Sequence, residues 1–184
     1  MRHFIDPQGE LCYYPCEVMT VDATLSHALE LLKDITPLRQ DCGSLCASAC
    51  CKDEGEFGSL VWLLPGEEQV QMPWGSVSPA VMPVTQTQVS AIYCVSPCDR
   101  QHRPFLCRIF PLSPFYSVKR GEWDVRMDRR AAPVCPLFRY GKAGLDPAFV
   151  DAARAAVRLL AQDPEWEARL KKLEAEEAAY RMQL

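Results

Sequence analysis

Four cysteines fall within ten residues in the run Cys42-Gly-Ser-Leu-Cys46-Ala-Ser-Ala-Cys50-Cys51. Cys94, Cys98 and Cys107 form a second group, Cys135 lies beyond it, and Cys12 and Cys16 sit near the start. Thiolates at such spacings can converge on one ion or cluster, so metal chelation is the chemistry this pattern points to. Cys12/Cys16, Cys42/Cys46 and Cys94/Cys98 all repeat the Cys-x3-Cys form. Four thiolates suit tetrahedral zinc or an iron–sulfur cluster equally well. The expected ligand set is Cys42, Cys46, Cys50, Cys51, Cys94, Cys98, Cys107 and Cys135, enough for two four-coordinate sites. Fewer suffice if His102 or an aspartate joins. Neighbouring Cys50 and Cys51 diverge on most backbones, so one can bind while the other packs or bridges to a second ion. The competing reading of any of these thiols is a small buried apolar side chain. It competes most strongly at Cys12 and Cys16, which flank Tyr13, Tyr14 and Pro15.

Binding a metal does not by itself make an enzyme. Zinc closed by four thiolates organises a fold, whereas an open coordination position facing a cleft makes a catalyst. A metal-dependent enzyme, of redox or methyl-transfer type, is therefore the second functional class. Against methyl transfer, Gly43, Gly55, Gly58 and Gly66 are scattered and make no glycine-rich loop for a nucleotide-like cofactor. Of the three histidines, His3, His27 and His102, only His102 lies among the cysteines, as a ligand or a proton donor beside the site. His27 falls on the surface of a helix. A third class is a protein- or RNA-interaction module, because Arg100, Arg103, Arg108, Lys119, Arg120, Arg126, Arg129 and Arg130 concentrate positive charge in mid-chain. Asp99, Glu122, Asp124 and Asp128 interrupt that patch, and Trp123 alone offers a stacking surface, which argues against nucleic-acid recognition.

The elements that would position these residues follow from periodicity and caps. Asp22 caps a helix over about 23–35 whose Leu25, Leu29 and Leu32 share a face, and Thr36-Pro37 ends it. In the Gly/Ser/Ala-rich segment that follows, Cys42, Cys46 and Cys50 have the i, i+4, i+8 spacing of one helical face. Residues 59–64 and 89–94 read as short strands around a proline-punctuated excursion of loop and short strand over 66–87. Residues 97–147 are rich in proline and poor in periodicity. Loop, turn and short strand are expected there, held by something other than regular hydrogen bonding, which a metal would supply. Asp146-Pro147 opens a helix to about Gln162 with Val150, Ala153, Val157 and Leu160 or Ala161 on its apolar face. Asp163-Pro164 starts another to about Met182, with Trp166, Leu170, Leu173 and Glu177 on one face. This second helix is either a packed cap or an arm for a protein partner.

The most specific run is Arg103-Pro-Phe-Leu-Cys107-Arg108-Ile-Phe-Pro111-Leu112. With Cys50-Cys51 and Leu63-Leu-Pro-Gly-Glu67 upstream, it resembles the zinc- or iron-chelating cysteine-cluster family, to which the cysteine-rich module of flagellin lysine N-methylases is related. The resemblance covers roughly residues 42–112. The family's usual cluster is Cys-x2-Cys-x2-Cys-Cys, whereas this chain has three intervening residues each time. The resemblance implies Cys42, Cys46, Cys50, Cys51, Cys107 and Cys98 as ligands. The residues of the run also have a physical reading of their own. Arg103 and Arg108 can donate hydrogen bonds to sulfur or carbonyl oxygen, and their charge favours thiolates. Phe105 and Phe110 can shield the site from water.

The 184 residues suit one domain with an appendage, and an apolar fraction of 48% excludes global disorder. A net charge of −4 implies no broadly basic face. The opening residues lack a signal peptide's apolar run, and no stretch approaches the roughly 20 apolar residues that span a bilayer. The chain thus reads as cytoplasmic, where reduced thiols and metals prevail over disulfides. An oxidised, secreted protein is the rival. The expected fold is a small, metal-stabilised α+β domain with an irregular cysteine-rich centre. Residues 1–145 form the metal-binding domain, and 146–184 a helical extension packed on it.

Overall fold

The computed structural model describes residues 3–5, 11–13, 22–52, 59–70, 72–95, 98 and 102–181. In chain order the elements are β1 (His3–Ile5), β2 (Leu11–Tyr13), α1 (Ala23–Leu31), α2 (Gly43–Cys46), β3 (Ser59–Trp62), β4 (Gly75–Val81), β5 (Gln88–Cys94), α3 (Phe105–Ile109), β6 (Leu112–Ser117), β7 (Glu122–Met127), α4 (Pro147–Leu160) and α5 (Pro164–Arg181). The fold is a small α+β domain with two C-terminal helices. Its strands make three antiparallel groups: β1–β2, a three-stranded sheet with β5 in the middle (β3–β5–β4), and the β6–β7 hairpin.

The helices start where carboxylates cap them. Asp22 accepts hydrogen bonds from Thr24 N at 2.7 Å and Leu25 N at 3.2 Å, satisfying donors that have no partner within the first turn of α1. Asp146 does the same for Ala148 N at 3.0 Å, with Pro147 at the first turn of α4. Asp163 Oδ1 accepts from Glu165 N at 2.7 Å at the start of α5. Helix α1 stops at Leu31, short of the expected Ile35. His27 lies on its exposed side.

The core forms where α1 and α4 pack together and α4 and α5 close on opposite strands of the hairpin, α4 on β7 and α5 on β6. From α4 come Phe149, Val150, Ala153, Ala156, Val157 and Leu160, all buried; the expected face is present, widened by Phe149 and Ala156. From α5 come Trp166, Leu170 and Leu173. That helix therefore spends its apolar face inside the chain, as a packed cap. Phe105 and Ile109 of α3 are fully buried in the same core.

The stretch expected to be irregular is more regular than that. Residues 112–127 form a hydrogen-bonded hairpin in register from Leu112↔Met127 to Ser117↔Glu122, turning at Gly121 with φ 66°. The reason is burial on both sides. Leu112, Ser113 and Pro114 are buried in succession, so no polar–apolar alternation marks the strand. Residues 66–87, expected as loop and short strand, hold a seven-residue strand, β4, whose Gly75 is required: a Cβ there would come 2.7 Å from Ile92 Cγ1 and 2.7 Å from Tyr93 O. A second, smaller core of Leu63, Met72, Trp74, Ile92 and Cys94 lies by this sheet, with Cys98 packed against it.

Candidate functional site

The first cysteine segment is not one helix. Helix α2 ends at Cys46, because Ala47 (φ 50°) and Ser48 (φ 59°) both take the left-handed conformation. Such residues cost about 1–2 kcal/mol each without glycine's freedom. A short 3-10 turn, Ala49–Cys51, follows. The expected single face for Cys42, Cys46 and Cys50 is thereby broken. Cys42 and Cys46 share one turn, with Cys46 Sγ 3.9 Å from Cys42 O, and the reversed chain carries Cys50 and Cys51 separately.

The reversal brings Cys50 and Cys51 to thiols from elsewhere. Cys50 Sγ lies 4.0 Å from Cys51 Sγ. Cys51 in turn interacts with Cys98. Cys107, on α3, feels the charges of Cys94, Cys98 and Cys51. Cys94 ends β5 and is buried. Cys135 stands beyond Cys46, close enough for the two to interact electrostatically. Cys42, Cys46, Cys50, Cys51, Cys107 and Cys135 all border one cavity. All eight expected ligands lie among the described residues; seven of them are half-buried and Cys94 is buried. Among the described residues, no three His, Cys, Asp or Glu side chains stand ready-assembled to hold a metal ion. Cys16 and Arg100 lie outside the described residues, and Cys12 belongs to β2, where only the strand itself is described.

The electrostatics follow from crowding. Burial pushes the Cys107 thiol well above its usual range, and the neighbouring thiols add to it. Burial raises Cys94 to about 11. Cys98 is raised through its hydrogen bond with Cys51 and by burial. Within the adjacent pair, the shared hydrogen bond lowers Cys50 and raises Cys51. Cys135 is raised by burial.

The two arginines of the Arg103–Leu112 run do different jobs. Arg103 Nε donates to Cys98 Sγ at 3.1 Å. Burial opposes the charge of Arg103, but the charges of Cys98, Cys51 and Cys107 outweigh it and raise its pKa. Arg108 instead donates to Arg103 O at 2.8 Å and to Leu29 O at 3.1 Å, which ties α3 to α1. Phe105 is in the main core, while Phe110 borders the cavity. His102 is exposed, its ring 5.9 Å from that of Trp74.

Glu67 is the residue to which the sequence assigned no role. It is 2% exposed and accepts from Leu64 N at 2.7 Å and from Phe105 N at 2.6 Å. It therefore closes the Leu64–Glu67 turn and caps the helix that carries Cys107. Burial raises its pKa to about 7, against these two hydrogen bonds and the charge of Arg108. The available signal was a carboxylate directly after Leu63-Leu-Pro-Gly.

No family model, curated protein or solved structure matches this chain. Its own geometry must carry the reading. Three of the mid-chain basic residues are spent on carboxylates of the same chain. Arg120 pairs with Glu122 and Asp124, Arg126 with Glu174 and Glu177, and Arg130 with Asp128. No helix among the described residues is long and apolar enough to cross a membrane.

Proposed function

We propose that this chain is a metal-binding protein whose clustered cysteine thiolates chelate zinc or an iron–sulfur cluster. The observation that carries this reading is the convergence of Cys50 and Cys51 with Cys98 and Cys107, residues from three separate segments, on one neighbourhood beside a thiol-directed arginine. The donor chemistry fits the group: sulfur ligands suit zinc and iron–sulfur clusters, and Arg103 offsets their accumulated negative charge. The spacing is also compatible. Zinc–sulfur bonds of about 2.3 Å imply sulfur–sulfur edges of roughly 3.8 Å in a tetrahedron, close to the 4.0 Å between Cys50 and Cys51. Cys42, Cys46, Cys94 and Cys135 are the remaining candidate ligands, sufficient for a second site. A bound ion would also hold the thiol segment to the domain, since α2 and the following 3-10 turn bury none of their own residues.

Metal analysis and an ultraviolet–visible spectrum, on protein purified without oxygen and without a metal-affinity tag, test this. The expected result is either stoichiometric zinc without colour, or iron with acid-labile sulfide and a brown chromophore. Cys51→Ser and Cys107→Ser should each lower the metal content by at least half. Metal-free wild-type protein with every thiol open to titration would refute the proposal.

A further inference from the structure

A cavity of about 590 Å³ opens between the thiol segment and α5, within the size range of small-molecule sites. Its walls come from distant parts of the chain: Leu45 of α2, Trp62 of β3, Val84 after β4, Ser113 of β6, Leu137, and Leu173 of α5. Most of the lining is apolar. The charged groups in the wall already have partners. Arg130 grips Asp128 through Nε at 2.9 Å and Nη2 at 2.6 Å, and stacks 5.1 Å over the Trp62 ring. Glu176 accepts from Val84 N at 3.0 Å, Thr85 N at 2.6 Å and Thr85 Oγ1 at 2.8 Å. Arg108 is taken up by two carbonyl oxygens and Arg103 by Cys98. A charged ligand would lose its hydration here and gain no unmatched counter-charge.

One polar wall group is unspent. Ser113 is 3% exposed, and its hydroxyl has no hydrogen-bond partner among the described residues. A buried hydroxyl without a partner is costly, and such groups are rare. This one sits in the cavity wall and turns on a single bond.

We propose that this cavity binds an uncharged, mainly apolar small molecule that carries a carbonyl or hydroxyl group, with the Ser113 hydroxyl as its hydrogen-bond partner. The site goes beyond the metal reading: Cys42, Cys46, Cys50, Cys51, Cys107 and Cys135 border the same cavity, but the groups that select this ligand lie on β3, β6 and α5.

The probe is 6-propionyl-2-(dimethylamino)naphthalene, an uncharged ketone whose fluorescence shifts to the blue in apolar surroundings, titrated into the full chain as purified. Saturable binding at one probe per chain is expected. The anionic 1-anilinonaphthalene-8-sulfonate should bind about tenfold more weakly, since Arg103, Arg108 and Arg130 in the wall already have partners. Ser113→Ala should weaken the ketone roughly three- to tenfold, the effect of one hydrogen bond. Leu173→Trp fills the cavity from within, and Val84→Trp narrows it from an exposed position. Loss of binding in either variant with the circular dichroism spectrum unchanged supports the site. Absence of saturable binding, or binding that survives both tryptophan substitutions, overturns it. Equal affinity of Ser113→Ala and wild type overturns the assignment of the hydroxyl. Wild type and variants are titrated at matched metal content, so this proposal and the metal reading fail separately.

Discussion

Replacing Glu67 by glutamine should remove a pH dependence that this one carboxyl imposes on the whole domain. Glu67 is almost fully buried, and burial raises its pKa from 4.5 to about 7. Below pH 4.5 the group is protonated in both the folded and the unfolded chain. Between 4.5 and about 7 the folded protein keeps a proton that the unfolded chain has released, so stability falls as pH rises. The loss is complete above about pH 7. A rise of 2.5 in pKa corresponds to about 3 kcal/mol. Glutamine is neutral throughout and shows no such loss. Its single acceptor oxygen faces two donors, Leu64 N and Phe105 N, and leaving one short costs about 1–3 kcal/mol at every pH. The difference in unfolding free energy between Glu67→Gln and wild type should therefore move by about 3 kcal/mol in favour of the variant from pH 4.5 to above 7. Urea unfolding followed by tryptophan fluorescence, with metal content matched in the two proteins, measures it. Arg108 attracts and Glu68 repels the same carboxylate, but both remain in the variant and drop out of the slope to first order. A difference constant to within about 1 kcal/mol over that range would refute the argument.

Two further substitutions probe how the helices are fixed. Asp124, 1% exposed, accepts from Arg154 Nε at 2.8 Å, pairs with Arg120 and holds Val125 N at 2.7 Å. Asp124→Ala should cost about 3 kcal/mol in urea unfolding, because Arg154 loses its buried partner; a cost below about 1 kcal/mol would show the pair to be solvent-screened. Glu176→Ala should cost about 2 kcal/mol and speed hydrogen exchange at Val84 and Thr85 by about tenfold or more, with unchanged exchange there showing that solvent replaces the carboxylate.

The three main helices were legible because each announces itself with a capping aspartate, Asp22, Asp146 or Asp163, the last two followed by proline. The apolar faces of α4 and α5 were legible for the same local reason, since their period shows in the sequence. The β6–β7 hairpin was not, because strands covered on both sides lose the alternation that identifies a strand. Nor was the reversal at Ala47 and Ser48. Neither residue is a usual left-handed one, so the i, i+4, i+8 spacing suggested a continuous helix that the backbone does not make. The cysteines themselves were conspicuous, and Cys50, Cys51, Cys98 and Cys107, from three segments, lie close enough to interact. Glu67 was invisible as a functional residue because its role depends on Phe105, 38 residues away, and no local pattern encodes that contact. Arg103 and Arg108 looked equivalent until the backbone separated a sulfur donor from a helix tie.

The core residues that fix this domain run from Leu25 to Leu173, yet none of them lies in the segment 43–52. Insertions or exchanges between its cysteines would therefore cost the remainder of the domain little. A lineage carrying this chain could lengthen or shorten those intervals, and so change the spacing of the thiols, without renegotiating its fold.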